Sequence, residues 1–305
     1  MIADPIRLAV VGLGAMGTRM LTAARAHPGY TVVAGVDVVP RTLDVPVVAS
    51  LDEVLSDVDA VYIATPPASH ASLTLQAFAA GKAVFCEKPL AVDLDEARAM
   101  AEAAEGLPNA VNFALSDMAA TLEIERLVPD LGEIRGAEIR LQFPRWPRDF
   151  QAEATWLAES AQGGFIREVL SHFIYLTDRV LGPLAVESVS ADFPAAGAAE
   201  ISARGILRAG EIPVHVSAVS GAAVPELYEW TLWGTRRSLR LDQWAQLNSS
   251  SGGAWEPIPL TRTGSDSARL TLFAEAVRGA HPRDLADFAS GVRVAEIIEA
   301  FHPSR

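Results

Sequence analysis

The segment Gly12-Leu13-Gly14-Ala15-Met16-Gly17 constrains the fold more than any other feature of this sequence. It follows an almost entirely apolar run, residues 6–11, which is typical of a parallel strand buried on both faces. It leads into residues 15–26, where apolar side chains recur at helical spacing. A strand, a glycine turn and a helix in this order predict the start of a βαβ unit.

Each glycine of this turn has a physical role in binding a dinucleotide. Gly12 permits the tight turn, Gly14 lets the backbone approach a pyrophosphate, and Gly17 allows close packing of the helix on the strand. The first helical residues, Ala15 and Met16, present free N–H groups and the positive end of the helix dipole to the phosphates. The turn therefore predicts a Rossmann domain, with these five residues in contact with the cofactor.

Asp37 indicates which dinucleotide binds. It closes the next strand-like run, residues 31–36, and lies 20 positions after Gly17. A carboxylate there accepts hydrogen bonds from the ribose hydroxyls and repels the additional phosphate of NADP, which favours NAD. NADP stays open as an alternative, because the guanidinium of Arg41 can pair with that phosphate.

A second signal is the segment Cys86-Glu87-Lys88-Pro89. It places Lys88 just past a predicted strand, at the edge where open α/β sheets assemble their ligand crevices. An ammonium at this position can reach both a nucleotide and a reacting oxygen. Lysine on a protein surface is more often simply solvated, so the interpretation depends on the glycine turn as well.

Together these features carry a resemblance to a known family. The residues that carry it are, in order, Gly12, Gly14, Gly17, Asp37, the Ala-Thr-Pro-Pro-Ala-Ser-His segment of 64–70, Gly81-Lys82, Glu87-Lys88-Pro89, and Gly163-Gly164 leading to His172. The set resembles the glucose–fructose oxidoreductase/inositol dehydrogenase family, Gfo/Idh/MocA. The closing segments, residues 272–279 and a predicted last helix over 285–300, also resemble that family, so the resemblance spans essentially the whole chain.

The resemblance implies further site residues. Thr65, Pro66, His70, Glu87 and Lys88 match positions that lie near the nicotinamide cofactor in the family. For His70 a second interpretation is equally open, in which the imidazole is packed locally at the start of a helix.

The resemblance also implies a catalytic histidine. His172 matches it, and Glu168 stands in place of the family's aspartate. If the segment is one helix, residues four apart share a face, and a carboxylate there raises the basicity of the imidazole and orients it. An ordinary surface contact between the two is the alternative. Leu170 replaces a usual glycine, and Tyr175 replaces a frequent sugar-binding aspartate, which favours a substrate that is less densely hydroxylated than inositol or glucose, or one that is held differently.

These residues predict an NAD(P)-dependent oxidoreductase. A hydride passes between nicotinamide and a carbonyl or hydroxyl carbon of a sugar, polyol or related small molecule. His172 serves as general acid or base, Lys88 stabilises negative charge on oxygen, and Glu168 orients His172 or contacts the substrate. Two alternatives stay open: an imine or enamine reductase on the same scaffold, and a nucleotide-binding sensor that has lost the chemistry.

Substrate selection is predicted from arginines and aromatic residues in the second half of the chain. Arginines hold carboxylates or phosphates in bidentate geometry, and tryptophan faces stack on sugar rings. An anionic substrate is therefore a hypothesis, against the alternative of exposed arginines and core aromatics. The candidate substrate residues are Arg145, Trp146, Arg148, Trp156, Arg167 and Tyr175.

The order of predicted strands and helices along the chain indicates two domains. Strands and helices alternate to about residue 112, which predicts an α/β Rossmann domain over 1–113. Residues 114–305 are predicted to form an α+β domain that binds substrate, with an open, largely antiparallel sheet, and its last helix can pack back on the first domain. Residues 249–253 are predicted to form a short flexible turn. The strand-like runs are 133–143, 186–193, 201–208, 214–220, 226–234 and 237–241.

Composition excludes several classes of partner. A net charge of −13 argues against nucleic acid and anionic membranes, which require a positive surface. The sequence has neither a spanning apolar run nor a leader-like N-terminus, so we expect a cytoplasmic protein.

The histidines do not cluster at ligand spacing, and no metal site is predicted. The family resemblance implies a homodimer or homotetramer assembled through the C-terminal sheet.

Overall fold

A computed structural model describes residues 4–260 and 264–302 of the chain. These residues form two compact units, one of 4–116 with 265–292 and the other of 117–260 with 264 and 293–302. The predicted boundary follows residue 113, with a last helix that can pack back on the first domain, and in the structure residues 265–292 belong to the first unit. The physical reason is that Leu270 and Phe273 belong to the hydrophobic core of the first unit. A periodic pattern shows that a helix has an apolar face but does not show which sheet the face covers.

The first unit is built on a six-stranded sheet of order β3-β2-β1-β4-β5-β6, in which every pair is parallel. Its strands are β1 Ile6–Val11, β2 Tyr30–Val36, β3 Val47–Val48, β4 Ala60–Ile63, β5 Ala83–Cys86 and β6 Asn109–Val111. Its helices are α1 Ala15–Ala26, α2 His70–Ala79, α3 Leu94–Ala103 and α6 Asp266–Val277, and the last helix of the chain is α7 Phe288–Glu299. The predicted bounds of β1 and α1 are confirmed, because helical and strand periodicity are strong there.

The second unit is built on an eight-stranded sheet of order β14-β13-β12-β11-β7-β10-β9-β8. The predicted antiparallel character is confirmed, with one exception: β7 and β10 run parallel. The strands are β7 Ile134–Phe143, β8 Leu184–Asp192, β9 Ser202–Ala209, β10 Ile212–Ser220, β11 Leu227–Gly234, β12 Ser238–Asp242, β13 Gln246–Ser250 and β14 Glu256–Pro257. Two helices, α4 Ala119–Leu127 and α5 Ser171–Leu181, belong to the same unit.

One face of this second sheet is covered and the other is polar. Ile139 and Leu141 of β7 are fully buried, while the intervening Arg140 faces the opposite side and pairs with Glu229 of β11 at 3.0 Å. On the covered side, the indole N–H of Trp230 donates to Thr177 Oγ1 of α5 at 2.9 Å. Helix α5 is therefore anchored to the middle of the sheet.

The predicted flexible turn over residues 249–253 is partly wrong. Ser249 and Ser250 are the last residues of β13, and Ser249 pairs with Leu239 of β12. Serine has a low strand propensity, so the composition of this stretch gave no strand signal, and pairing with β12 decides its conformation. Within the described residues, no helix combines the length and the apolar character needed to cross a membrane.

Candidate cofactor and catalytic site

The glycine turn between β1 and α1 has the shape that a diphosphate requires. Gly12 has φ +84°, and a Cβ on it would lie 2.7 Å from the backbone of Ala64. A Cβ on Gly17 would lie 1.7 Å from the carbonyl oxygen of Gly12. At Gly14, in contrast, a Cβ would meet no atom within 4 Å, and the residue is exposed. The turn is therefore packed on its inner side and open at the N-terminus of α1, where phosphates bind.

Asp37 is held beside this turn. One of its carboxylate oxygens accepts a hydrogen bond from the N–H of Leu13 at 2.8 Å, and the other accepts from the N–H of Val39 at 2.8 Å. The Nε of Arg41 lies 3.4 Å from the same carboxylate. These contacts fix the carboxylate next to the glycine turn, which is the position required for contact with a ribose hydroxyl.

We predict that Asp37→Asn weakens the discrimination against NADP. The amide keeps the size of the side chain but removes the charge that repels the additional phosphate. The ratio of kcat/KM with NADPH to that with NADH is expected to rise about 100-fold, since like charges in contact cost several kcal/mol. Steady-state kinetics with both cofactors measure this ratio, and an unchanged ratio would contradict the role given to Asp37.

His70 joins the two turns that follow β4 and β5. Its imidazole is fully buried, with Nδ1 2.9 Å from the carbonyl oxygen of Pro89 and Nε2 2.9 Å from that of Thr65. Burial lowers the pKa of this imidazole, against the opposing effect of the carbonyl oxygens. Both ring nitrogens therefore lie within hydrogen-bond distance of main-chain carbonyl oxygens, and the neutral imidazole, which has one N–H, donates to one of them. This favours the local-packing interpretation of His70, in which the side chain acts on the cofactor only through the turns it connects.

Glu87 also serves the turn that carries Lys88. It is buried at 6% exposure and accepts hydrogen bonds from the Tyr62 hydroxyl and, at 2.7 Å, from the Asn112 amide. Burial and the neighbouring Glu87 raise the pKa of the Tyr62 phenol well above its ordinary value. Glu87 thus faces the ends of β4 and β6, and Lys88 follows it as a partly exposed residue two positions beyond the end of β5.

Tyr62 and Asn112 are not among the predicted site residues. Tyr62 lies in an apolar buried strand and Asn112 directly follows another. A polar atom in a strand buried on both faces must find a partner, and this was the available signal.

In the second unit, a pair of glycines starts the segment that carries the catalytic candidates. Gly164 has φ +93°, and a Cβ on it would lie 2.1 Å from the carboxylate of Glu200. That carboxylate accepts a hydrogen bond from the N–H of Ile166 at 2.6 Å and is 1% exposed. Glycine at 164 is thus required both by its left-handed backbone conformation and by the space that Glu200 occupies.

We predict that replacing Glu200 by Gln makes the fold less sensitive to pH. Burial raises the pKa of Glu200, and the N–H of Ile166 and the charge of Arg167 oppose this effect. Because the folded pKa exceeds the unfolded one, wild-type stability falls as the pH rises through the folded pKa. Glu200→Gln is therefore expected to melt above wild type at pH 7 and with wild type below a pH of about 4. Calorimetry across this range checks the result, and equal melting temperatures at pH 7 would contradict it.

The segment after the glycines is not a single α-helix. Residues Ile166–Leu170 form a π-helical turn, and α5 begins at Ser171. The segment was predicted to be one helix, and the structure divides it into a π turn, which uses i→i+5 hydrogen bonds, and the helix α5. Such turns occur frequently at functional sites. That Glu168 and His172 share a face stays a prediction.

The structure describes the immediate surroundings of both candidates. Glu168 accepts a hydrogen bond from the Gln151 side chain at 2.9 Å and lies 3.6 Å from the guanidinium of Arg148. His172 is 6% exposed, and its ring packs edge-on against Trp244, with centroids 5.3 Å apart. Both candidates thus lie among polar and aromatic side chains of the second unit.

Arg148, a predicted substrate residue, contacts both polar and aromatic side chains. Its guanidinium donates to the Tyr228 hydroxyl at 2.9 Å and to Gln151 at 2.8 Å. It also lies over the rings of Trp146 and Phe150, with 4.7 Å to the centroid of the latter. Phe150 is 76% exposed, so this stack is at the surface.

The other predicted substrate residues differ in accessibility. Arg145 is exposed and bonded to Asp149 at 2.7 Å, while Trp156 is partly buried. The Trp146 indole donates to the carbonyl of Leu157 at 2.9 Å. Tyr175 is 3% exposed.

The prediction that Arg167 contacts the substrate is corrected. Arg167 is 1% exposed, and its guanidinium makes two 2.6 Å hydrogen bonds to Glu299 and a third, at 2.7 Å, to the carbonyl of Ser160. A buried, bidentate ion pair of this kind holds the fold and leaves the guanidinium no capacity for a substrate.

Comparison with known proteins agrees with this architecture. Residues 6–114 match GFO_IDH_MocA, described as the oxidoreductase family with an NAD-binding Rossmann fold. Over 212 residues the chain is 32% identical to an oxidoreductase subunit of Amycolatopsis mediterranei, and the alignment covers 63% of this chain but only 58% of the relative. The chain thus spans less than two thirds of that relative's length.

Two further similarities cover nearly the whole chain. A dTDP-3,4-didehydro-2,6-dideoxy-alpha-D-glucose 3-reductase from Streptomyces violaceoruber is 28% identical over 325 residues, which cover 97% of this chain and 94% of the reductase. The crystal structure of KijD10, a 3-ketoreductase from Actinomadura kijaniata in complex with NADP and TDP-benzene, superposes with a TM-score of 0.83. It covers 98% of this chain and 97% of KijD10 at 22% identity, which establishes a shared fold. Residues 6–114 of this chain thus belong to the Gfo/Idh/MocA family of oxidoreductases with an NAD-binding Rossmann fold, and the fold of nearly the whole chain is shared with KijD10.

Proposed function

We propose that this protein transfers a hydride between a nicotinamide cofactor and a carbonyl or hydroxyl carbon of a sugar, with sugars linked to a nucleoside diphosphate as the first candidates. The observation that supports this proposal most strongly is a shared position. The open glycine turn, the fixed Asp37 and Lys88 all lie at the same edge of one parallel sheet. In such sheets, ligands bind at the carboxyl ends of the strands. The sugar nucleotide is supported by the relatives, since one is named a dTDP-sugar reductase and KijD10 was crystallised with TDP-benzene.

The proposed chemistry divides between two side chains. When bound, the nicotinamide supplies or accepts the hydride. His172 gives a proton to the substrate oxygen during reduction and takes it back during oxidation, and Lys88 stabilises the negative charge on that oxygen. Glu168, held by Gln151 and Arg148, orients the imidazole or binds a substrate hydroxyl.

A substrate panel tests the proposal. NADH and NADPH oxidation is followed by absorbance with UDP-glucose, dTDP-glucose, myo-inositol, glucose, keto sugars, hydroxy acids and cyclic imines, in both directions where the substrate allows. We expect turnover of at least one sugar. Turnover confined to imines would establish the alternative imine reductase, and nucleotide binding without turnover of any compound would establish the alternative sensor.

The arginines make a further prediction about substrate charge. Arg148→Ala and Arg145→Ala are expected to raise the KM for a nucleotide sugar about tenfold, because each removes a charged hydrogen-bond donor. The KM for uncharged myo-inositol or glucose is the matched reference and is expected to stay constant. Equal changes with charged and uncharged substrates would show that these arginines support only the fold.

We also propose that the polar face of the second sheet joins copies of this chain into a homodimer or homotetramer. Strands β7 and β11 present Arg140, Glu229 and Trp233 on that face, opposite the face that α5 covers. Sedimentation velocity measures the mass, and Trp233→Lys is expected to reduce it to that of the single chain. A wild-type protein that sediments as a single chain would overturn this proposal.

A further inference from the structure

We propose that Trp244 is a specificity-determining residue that contacts the substrate directly: its indole N–H donates a hydrogen bond to a substrate oxygen beside His172. The inference deepens the proposed function, because it assumes that the substrate carries hydroxyl or carbonyl oxygens. Trp244 is not among the predicted site residues.

The backbone at Trp244 is the first observation. Gln243 and Trp244 have φ values of 47° and 70°, and among the described residues they are the only ones other than glycine with positive φ. They lie in the hairpin between β12 and β13, just beyond the paired residues Asp242 and Gln246. Hairpin positions of this conformation favour glycine or asparagine, because a larger side chain is strained there. Such strain is found where a side chain is held for function.

The rings around Trp244 are the second observation. The indole lies edge-on to His172, with centroids 5.3 Å apart and planes at 79°, and packs at 5.1 Å against Phe173. A third ring, that of Tyr228, lies 5.2 Å away. Trp244 nevertheless stays partly exposed. The left-handed hairpin therefore places an indole that is fixed by its neighbours and accessible from outside next to the proposed acid/base.

The indole nitrogen is the third observation. The indoles of Trp146 and Trp230 donate to Leu157 and Thr177, as partly or fully buried tryptophans usually do. Trp244 makes no hydrogen bond within the part of the chain that the structure describes. A rigid, accessible donor beside an imidazole is suited to an oxygen of the substrate.

The neighbours of Trp244 also connect two proposed roles. Tyr228 contacts the indole on one side and accepts a hydrogen bond from Arg148 on the other. The indole thus stands between His172, the proposed acid/base, and the arginine proposed to bind an anionic group. A substrate that contacts both would lie close to Trp244.

A purely structural role makes a different prediction, which Trp244→Phe distinguishes. Phenylalanine keeps an aromatic ring for Phe173 and Tyr228 but has no N–H donor. If Trp244 binds substrate, Trp244→Phe raises the KM of the best panel sugar about tenfold with a melting temperature close to wild type. If the indole only fills space, the KM is unchanged. Trp255→Phe is the matched control, because Trp255 stacks with Arg240 at 4.8 Å on another part of the sheet and is expected to leave the KM constant.

A spectroscopic test is independent of turnover. In protein labelled with 15N-tryptophan and loaded with NADH, the indole signal of Trp244 is identified by its loss in Trp244→Phe. Addition of UDP-glucose, or of the sugar that is turned over, is expected to shift this signal and to leave that of Trp255 in place. A Trp244 signal that no panel sugar moves would overturn the inference, even in an active enzyme. A shifted signal without any turnover would instead overturn the proposed function and leave the inference standing.

Discussion

Lys88→Met is expected to lower kcat by about 100- to 1,000-fold and to leave NADH binding nearly unchanged. The expected size is that of removing one preorganised group that stabilises charge on a reacting oxygen. Methionine keeps the length of the side chain, so the turn held by Glu87 and His70 is retained. Steady-state kinetics with the best panel sugar and fluorescence titration with NADH measure the two effects separately.

The chain offers a matched control for this variant. Lys82 and Lys88 are its only lysines, and they lie on either side of the same strand, β5. Lys82→Met changes the net charge by the same amount at the opposite end of that strand. It is expected to leave kcat within about twofold of wild type, in the range of surface substitutions. Equal losses in both variants would show that charge in general, rather than the ammonium at 88, supports the reaction.

His172→Asn is expected to have the second largest effect, a fall in kcat of about 100- to 10,000-fold, the usual contribution of a positioned acid or base. The pH–rate profile is the more specific measurement, because the limb that reports ionisation of the imidazole should disappear. His215→Asn on β10, an exposed position, is the control and should keep both the rate and the profile. A residual profile identical to wild type in His172→Asn would assign the proton transfer to another group.

How much of this could be predicted from sequence differs between the two units. The β1–α1 turn was predicted to the residue, because three glycines, a buried strand and a periodic helix all require the same backbone. Six strands of the second unit, β7 to β12, were also found, since runs of strand-forming residues separated by prolines and glycines mark them. These patterns are local, and local periodicity is what a single sequence displays.

The site itself was less accessible to prediction. Tyr62, Asn112 and Glu87 meet across three strands, and no spacing in the sequence relates them. Trp244 contacts His172 from a hairpin 72 positions away along the chain. The residues on either side of Trp244 in the sequence do not indicate a turn that requires tryptophan. The π turn at 166–170 has no sequence signature distinct from an α-helix. Long-range pairing, rather than propensity, decides each of these features.

The buried imidazole of His70 has a consequence for how the nucleotide-binding edge opens. Because one ring spans the carbonyl oxygens of Thr65 and Pro89, neither turn can swing outward without breaking a contact that also secures the other. Amide protons of the two segments should therefore exchange with deuterated water as one cooperative unit, and in His70→Ala they should exchange at two separate, faster rates. The cofactor would then meet two turns that move together in wild type and two turns that move independently in His70→Ala.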